Sequence, residues 1–298
     1  MSSNNPIKEV TAISSRPLSP LSVLLVTILV GSFILAYFPV WKNLVLHWYG
    51  SEEYSHGFFI LPLCLYIVWR KREVLSVLPL QPSLWGLALT AFFLSVYLFG
   101  SFAEISTVQS FSMVLSIVGV IIYLFGFQMA KALVFPLFLL LFMIPVPAQR
   151  YSELTIPLQL FVSKASVGIS SLLGLPIYLE GNVIHLPGRT LQVVQACSGL
   201  RSMISLLTLS GIFGYFTMSS NLLRVCLFFT GIPAAIIVNI VRVTVMIAAF
   251  YYFQTDLTVG TIHTVFGILM FFLALAIIVA TKGVLALWDR STKEISSS

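Results

Sequence analysis

LLRVCLFFTGIPAAIIVNIVRVTVMIAA, residues 222–249, is an apolar run longer than the ~20 residues that cross a hydrocarbon core. It reads as a membrane helix, and in its second half Asn239 and Arg242 fall one turn apart on a single face. Similar runs recur at 21–40, 57–69, 84–101, 106–127, 132–147, 200–218 and 260–281. Of 298 residues, 58 % are hydrophobic and 9 % charged, whereas soluble chains carry charge on about a quarter. The fold class expected is an all-α polytopic membrane protein of about eight transmembrane helices, in one domain over residues 21–282. A polar leader (1–20) and a polar tail (283–298) flank it, and both are expected in the cytoplasm. The leader is too polar for a removable signal peptide, and the tail, DRSTKEISSS, reads as disordered.

The net charge of +6 reports orientation rather than a nucleic-acid partner, because basic residues mark the cytoplasmic side of a membrane protein. Arg70, Lys71 and Arg72 follow the second run directly. Counting from them places Lys131, Arg224, Lys282, Arg290 and Lys293 inside as well, a pattern that agrees with eight spans. The stretch TIPLQLFVSKASVGISSLLGL, residues 155–175, is nearly long enough to be a ninth. Gln159, Lys164 and five Ser or Thr residues favour a helix lying in the membrane interface. After it, LPIYLEGNVIHLPGRTLQVVQ carries Gly-Asn and Pro-Gly turn signals between β-branched stretches, which predicts a short β-hairpin-like extracytoplasmic segment before the sixth span.

That segment leads into VVQACSGLRS, residues 193–202, and delivers Cys197 to the outer boundary at the start of a helix. The seventh span brings Asn239 and Arg242 to its outer half, and the eighth begins TIHTVFG, with His263 in its first turn. A free thiol with a pKa near ~8.5 needs help to ionise, and a helix amino terminus, a guanidinium and an imidazole each provide some. Arg242 inside a membrane helix costs roughly 2.5–3.5 kcal/mol at the centre on insertion scales, so a polar cavity or partner is expected beside it. Arg201 shares a helical face with Cys197, yet stands near enough to the boundary to snorkel. Taken singly these residues have plainer readings: an inert buried thiol, a solvated interfacial histidine, a structural ion pair. Cys64 and Cys226 keep the first of these, while His47 reads as solvated, His56 as a polar anchor and His185 as part of the hairpin. His56 could also line the same site. No P-loop, dinucleotide fingerprint, H-E-x-x-H or paired metal-ligand cysteines occur, so neither cofactor nor metal is expected.

ACSGLRS, then N-x-x-R in the next span and a histidine at the head of the last, resembles the exosortase and archaeosortase family of membrane transpeptidases. YSHGFFILPLCLYIVWRKR and LEGNVIHLPG look like that family's flanking regions, and the likeness covers roughly residues 20–282. The resemblance implies a cysteine protease or transpeptidase of the bacterial cytoplasmic (inner) membrane with its active site on the outer side. Its substrates would be exported proteins bearing a carboxy-terminal sorting signal of the PEP-CTERM kind with a transmembrane helix. Cys197 would be the nucleophile and Arg242 and His263 its catalytic partners, with Arg201 and Asn239 auxiliary. Membrane lipid surrounds such a protein. Some members carry an additional soluble domain, so a separate accessory protein is an open requirement. The readings from other classes are a transporter or channel whose path Asn239 and Arg242 would line, and a non-catalytic factor in envelope polysaccharide assembly.

Overall fold

The computed structural model describes residues 20–51, 54–192, 200–258 and 260–297. Helix α1 (Pro20–Ala36) meets α2 (Phe38–Gly50) at a 62° bend. Pro39 sits in the first turn of α2, where its ring fixes the backbone and disfavours a continuous helix through Tyr37 and Phe38. The expected straight run over 21–40 is therefore broken. After α3 (Gly57–Arg70) and the short α4 (Arg72–Ser76), α5 (Leu84–Phe102) and α6 (Ser106–Phe125) form a close antiparallel pair. Gly86 and Gly119 let these two approach, since a Cβ on either would run into the opposite backbone or the Thr90 hydroxyl. Then come α7 (Phe127–Ala132), α8 (Val134–Leu139), a 3-10 turn (Leu140–Met143) and α9 (Ala148–Leu172). Strands β1 (Tyr178–Glu180), β2 (Val183–Leu186) and β3 (Arg189–Gln192) precede α10 (Leu200–Thr217), α11 (Asn221–Phe253) and α12 (Gly260–Ser297).

Four of the described helices are long and apolar enough to cross a membrane: α5, α6, α11 and the Gly260–Leu287 part of α12. The bent α1–α2 pair makes five if it counts as one span. Apolar helices at Gly57–Arg70, Val134–Met143 and Met203–Thr217 coincide with three more of the runs read from the sequence, but are shorter than ~20 residues. The tail read as disordered continues α12 to Ser297; neither glycine nor proline follows Gly283 to end it.

The strands form an antiparallel sheet in the order β1-β2-β3, with Glu180 opposite Val183 and Leu186 opposite Arg189. The Gly-Asn and Pro-Gly pairs are its two turns. Gly181 and Gly188 take left-handed φ values of 62° and 80°, which side chains disfavour. The sheet lies against the carboxy-terminal end of α11: Leu186 and Leu191 meet Met246, Ile247 and Phe250.

Helix α9 starts beside Pro145 and Ile204, around a cavity that Arg150 also lines. The chain just beyond its other end packs Leu175 in one core with Ile184 and Leu186 of the sheet. Both ends thus approach the part of the bundle where α10 begins and α11 finishes. The stripe Thr155, Gln159, Ser163, Ser166 and Ser170 points inward, each residue at most 6 % exposed, while Ile156, Phe161 and Leu172 point outward. An interfacial helix with its polar face in water would show the reverse. The Ser166 hydroxyl donates to the carbonyl of Ile240 on α11 at 3.2 Å.

Two apolar cores result, one around Tyr37, Trp48, Ile60, Met113 and Met143, the other around Val162, Ile184, Leu227, Val243 and Ala274. Helix α10 joins them, with Leu206 in the second and Tyr215 and Phe216 against the first. Tyr215 stacks on Phe135 at 4.0 Å and lies under both Lys71 and Arg224, while Arg70 covers Phe216. Lys71 also donates to the Ala132 carbonyl at 2.7 Å. Arg70, Lys71 and Arg224, three of the basic residues assigned to one side of the membrane, thus gather at one end of the bundle. Arg242 and His263 lie toward the other.

Candidate active site

At the end of the bundle away from Arg70 and Arg224, α11 finishes at Phe253 and α12 starts at Gly260 after a six-residue connection. Gln254 closes α11 in the left-handed conformation, its N–H bonded near the Ala249 and Phe250 carbonyls. This reversal sets the first turn of α12 against the second half of α11. Arg242 Nη2 reaches His263 Nε2 at 3.3 Å, and His263 Nδ1 lies 3.0 Å from the Leu257 carbonyl. Each contact runs one way. A carbonyl only accepts, so Nδ1 carries the proton; a guanidinium only donates, so Nε2 presents its lone pair. With these partners the imidazole has the tautomer that can take a proton at Nε2.

The Leu257 carbonyl is itself fixed by its neighbours. Asp256 Oδ1 accepts from the Thr258 backbone N–H at 2.8 Å and from its hydroxyl at 2.6 Å, a local side-chain turn. Asp256 Oδ2 accepts from Arg189 of β3, whose guanidinium also lies 5.3 Å over the Phe250 ring. Burial pushes the Asp256 carboxyl up, but the Thr258 and Arg189 contacts outweigh it and hold the group below the usual carboxylate range. One ion pair therefore joins the loop behind His263 to the strand whose continuation carries Cys197.

Below the Arg242–His263 pair is a cavity of about 230 Å³ between α10, α11 and α12. Asn239 and Arg242 line it, together with Ser205, Ala235, Gly267 and Phe271. Asn239 is 6 % exposed, and among the described residues neither its Nδ2 nor Arg242 Nε has a hydrogen-bond partner. Leaving such a donor unmet costs about 1–3 kcal/mol, more for a charged group.

Of the residues singled out from the sequence, Asn239, Arg242 and His263 come together here. Arg201 falls in the first turn of α10, and Cys197 lies outside the described residues. His56 belongs elsewhere, at the start of α3 with Nε2 3.2 Å from the Phe142 carbonyl. His185 stacks on Tyr178 and pairs with Glu180 within the sheet, and His47 is exposed. Sequence reasoning missed Arg189, Asp256 and the Leu257 carbonyl. Asp256-x-Thr258 before a glycine signalled a turn, but nothing in the sequence linked it to an arginine 67 positions away. Among the described residues no three His, Cys, Asp or Glu side chains are grouped to hold a metal ion.

No curated protein and no solved structure matches the chain. Residues 41–280, most of its length, match the family described as Transmembrane exosortase (Exosortase_EpsH). With that match laid over a helical membrane fold, the chain belongs to the transmembrane exosortase family.

Proposed function

We propose that this protein is a cysteine transpeptidase or protease that cleaves a carboxy-terminal sorting signal from exported proteins at the outer face of a bacterial inner membrane. The observation that carries the reading is the hydrogen bond from Arg242 to His263, beside a cavity at the end of the bundle where the Cys197 segment enters α10. Eight spans, with residues 1–20 and 283–298 inside, put this end outside. Residues 21–282 then form the catalytic domain.

In this mechanism His263 Nε2 takes the Cys197 proton, and the thiolate attacks a substrate peptide carbonyl. The new C–S bond pushes the carbonyl electrons onto oxygen, where Arg242 turns from the imidazole to meet the negative charge. Collapse breaks the C–N bond. The departing amine, still attached to the substrate's membrane helix, takes the proton from His263 and leaves an acyl group on Cys197. An acceptor amine or water then attacks the thioester and frees the thiol. Arg201, one turn beyond Cys197 in the sequence, shares the anion-stabilising role.

Co-expression with a tagged substrate ending in a short Pro-Glu-Pro-like motif, an apolar helix and a basic tail tests this. Intact-mass analysis should show a product trimmed before the helix, and Cys197→Ser should leave the substrate whole. Trimming that survives Cys197→Ser would replace this reading with that of a transporter or a non-catalytic assembly factor.

A further inference from the structure

We infer that the cavity under the Arg242–His263 pair is a substrate-backbone site, in which Asn239 Nδ2 and Arg242 Nε donate to carbonyl oxygens of an extended peptide segment next to the scissile bond. The inference rests on the proposed peptidase function and adds the part of the protein that would hold the chain. Both unpartnered atoms are donors, both are buried, and both belong to residues lining one cavity. What completes the site must therefore be an acceptor. Leu206, Ala235, Val238, Met270 and Ala274 add an apolar stretch of wall beside these polar groups, a mixture that suits a peptide backbone and its side chains.

The unmet donors decide between an extended and a helical occupant. A helical segment would bring carbonyls already bonded within the helix, whereas extended backbone brings free ones. The long direction of the cavity follows two helices: Ala235, Asn239 and Arg242 on α11 and Gly267, Phe271 and Ala274 on α12 recur at helical spacing, about two turns along each. A chain lying there passes directly beneath His263 on its way to the membrane helix of the substrate. Gly267 keeps the slot open, because a Cβ at that position would meet no atom within 4 Å.

Two experiments on the full-length protein in membranes separate this inference from the function it rests on. The first traps the complex without turnover. A Cys197→Ala, Gly267→Cys double variant is mixed with a sorting-signal substrate carrying one cysteine just before its apolar helix, and oxidised. A disulfide to position 267 is expected, and none with Gly283→Cys, an exposed position lower on α12. The second measures processing. Gly267→Leu should fill the slot and block cleavage, and Asn239→Leu should lower it about tenfold, as expected for one lost hydrogen bond, mainly through KM. In both variants Cys197 should still react with a small maleimide. If processing depends on Cys197 yet Gly267→Leu and Asn239→Leu cleave normally, or the disulfide forms equally at 283, the slot is not the backbone site and the peptidase reading stands. If Cys197→Ser still processes, the underlying function fails first.

Discussion

The two halves of the molecule treat buried polar groups differently. In the amino-terminal half they find fixed partners across the bundle. Tyr37 bonds Ser116 at 2.8 Å, the Trp48 indole donates to the Met143 carbonyl at 2.9 Å, and the Cys64 thiol meets the Pro136 carbonyl. In the carboxy-terminal half lie all four of the buried side-chain atoms that have no partner among the described residues: Ser163 Oγ, Ser170 Oγ, Asn239 Nδ2 and Arg242 Nε. Satisfied groups lock helices together, and unsatisfied ones hold free energy in reserve for whatever completes them. Under the proposed function, the first half is the scaffold and the second holds the site.

Changing the guanidinium should break the comparison most severely. Arg242→Lys keeps the charge but offers a single flexible ammonium, which cannot reach His263 and the cavity together as a planar fork does. Processing should fall by about 10²- to 10³-fold, the usual loss for a donor to a developing oxyanion. Arg201→Lys should lose far less. Side-by-side rates of substrate cleavage decide the matter, and the reverse order would exchange the roles of the two arginines.

On the scaffold side the effect should appear in stability instead. Trp48→Phe removes the indole N–H and leaves the Met143 carbonyl unmet in a buried site, at a cost of about 1–3 kcal/mol. Unfolding in mixed micelles should show that loss while cleavage per folded molecule is unchanged. Impaired turnover in fully folded Trp48→Phe would show that the first core also shapes the site.

Much of this division could be read from the sequence, and the parts that could not share one cause. Apolar runs located the helices, turn dipeptides located the sheet, and the depth of Arg242 and His263 anticipated their contact. Local spacing carries such information because helical and strand periods repeat within a few residues. The bend at Tyr37 lay inside a run whose hydropathy hid it, although Pro39 was visible. The polar residues of α9 were legible as a stripe, but amphipathicity gives the angle between faces and not which of them packs inward, so the burial of Gln159 and its serines was not. Arg189 and Asp256 are joined by tertiary packing alone, for which a single sequence has no period.

That ion pair supplies a smaller effect with a definite pH signature. Arg189→Met or Asp256→Asn should loosen the turn that presents the Leu257 carbonyl to His263 Nδ1, lowering kcat about tenfold, the scale of one displaced hydrogen bond. Asp256 is held below its ordinary value of ~3.9 when folded, so it binds its proton more weakly folded than unfolded. The stability it contributes is fully present above about pH 4 and is lost as pH falls through the lower folded value. Asp256→Asn should therefore flatten the acid limb of the stability profile and leave the neutral region without a slope from this group. An unchanged acid limb would remove the carboxylate from the account.

The smallest expected change is also the sharpest measure of the contrast between the halves. Tyr37→Phe and Ser163→Ala each delete one hydroxyl from a fully or nearly fully buried residue, so the two differ mainly in whether that hydroxyl has a partner. Deleting the tyrosine hydroxyl strands Ser116, itself 1 % exposed, and should cost about 1–3 kcal/mol. Removing Ser163 Oγ leaves nothing stranded and relieves an unmet group, so stability should stay within about 0.5 kcal/mol or rise. Matched unfolding curves give both numbers. If Ser163→Ala proves as costly as Tyr37→Phe, the serine hydroxyl has a partner in the membrane, the stripe on α9 belongs with the scaffold, and the reserve of unmet groups contracts to Asn239, Arg242 and Ser170.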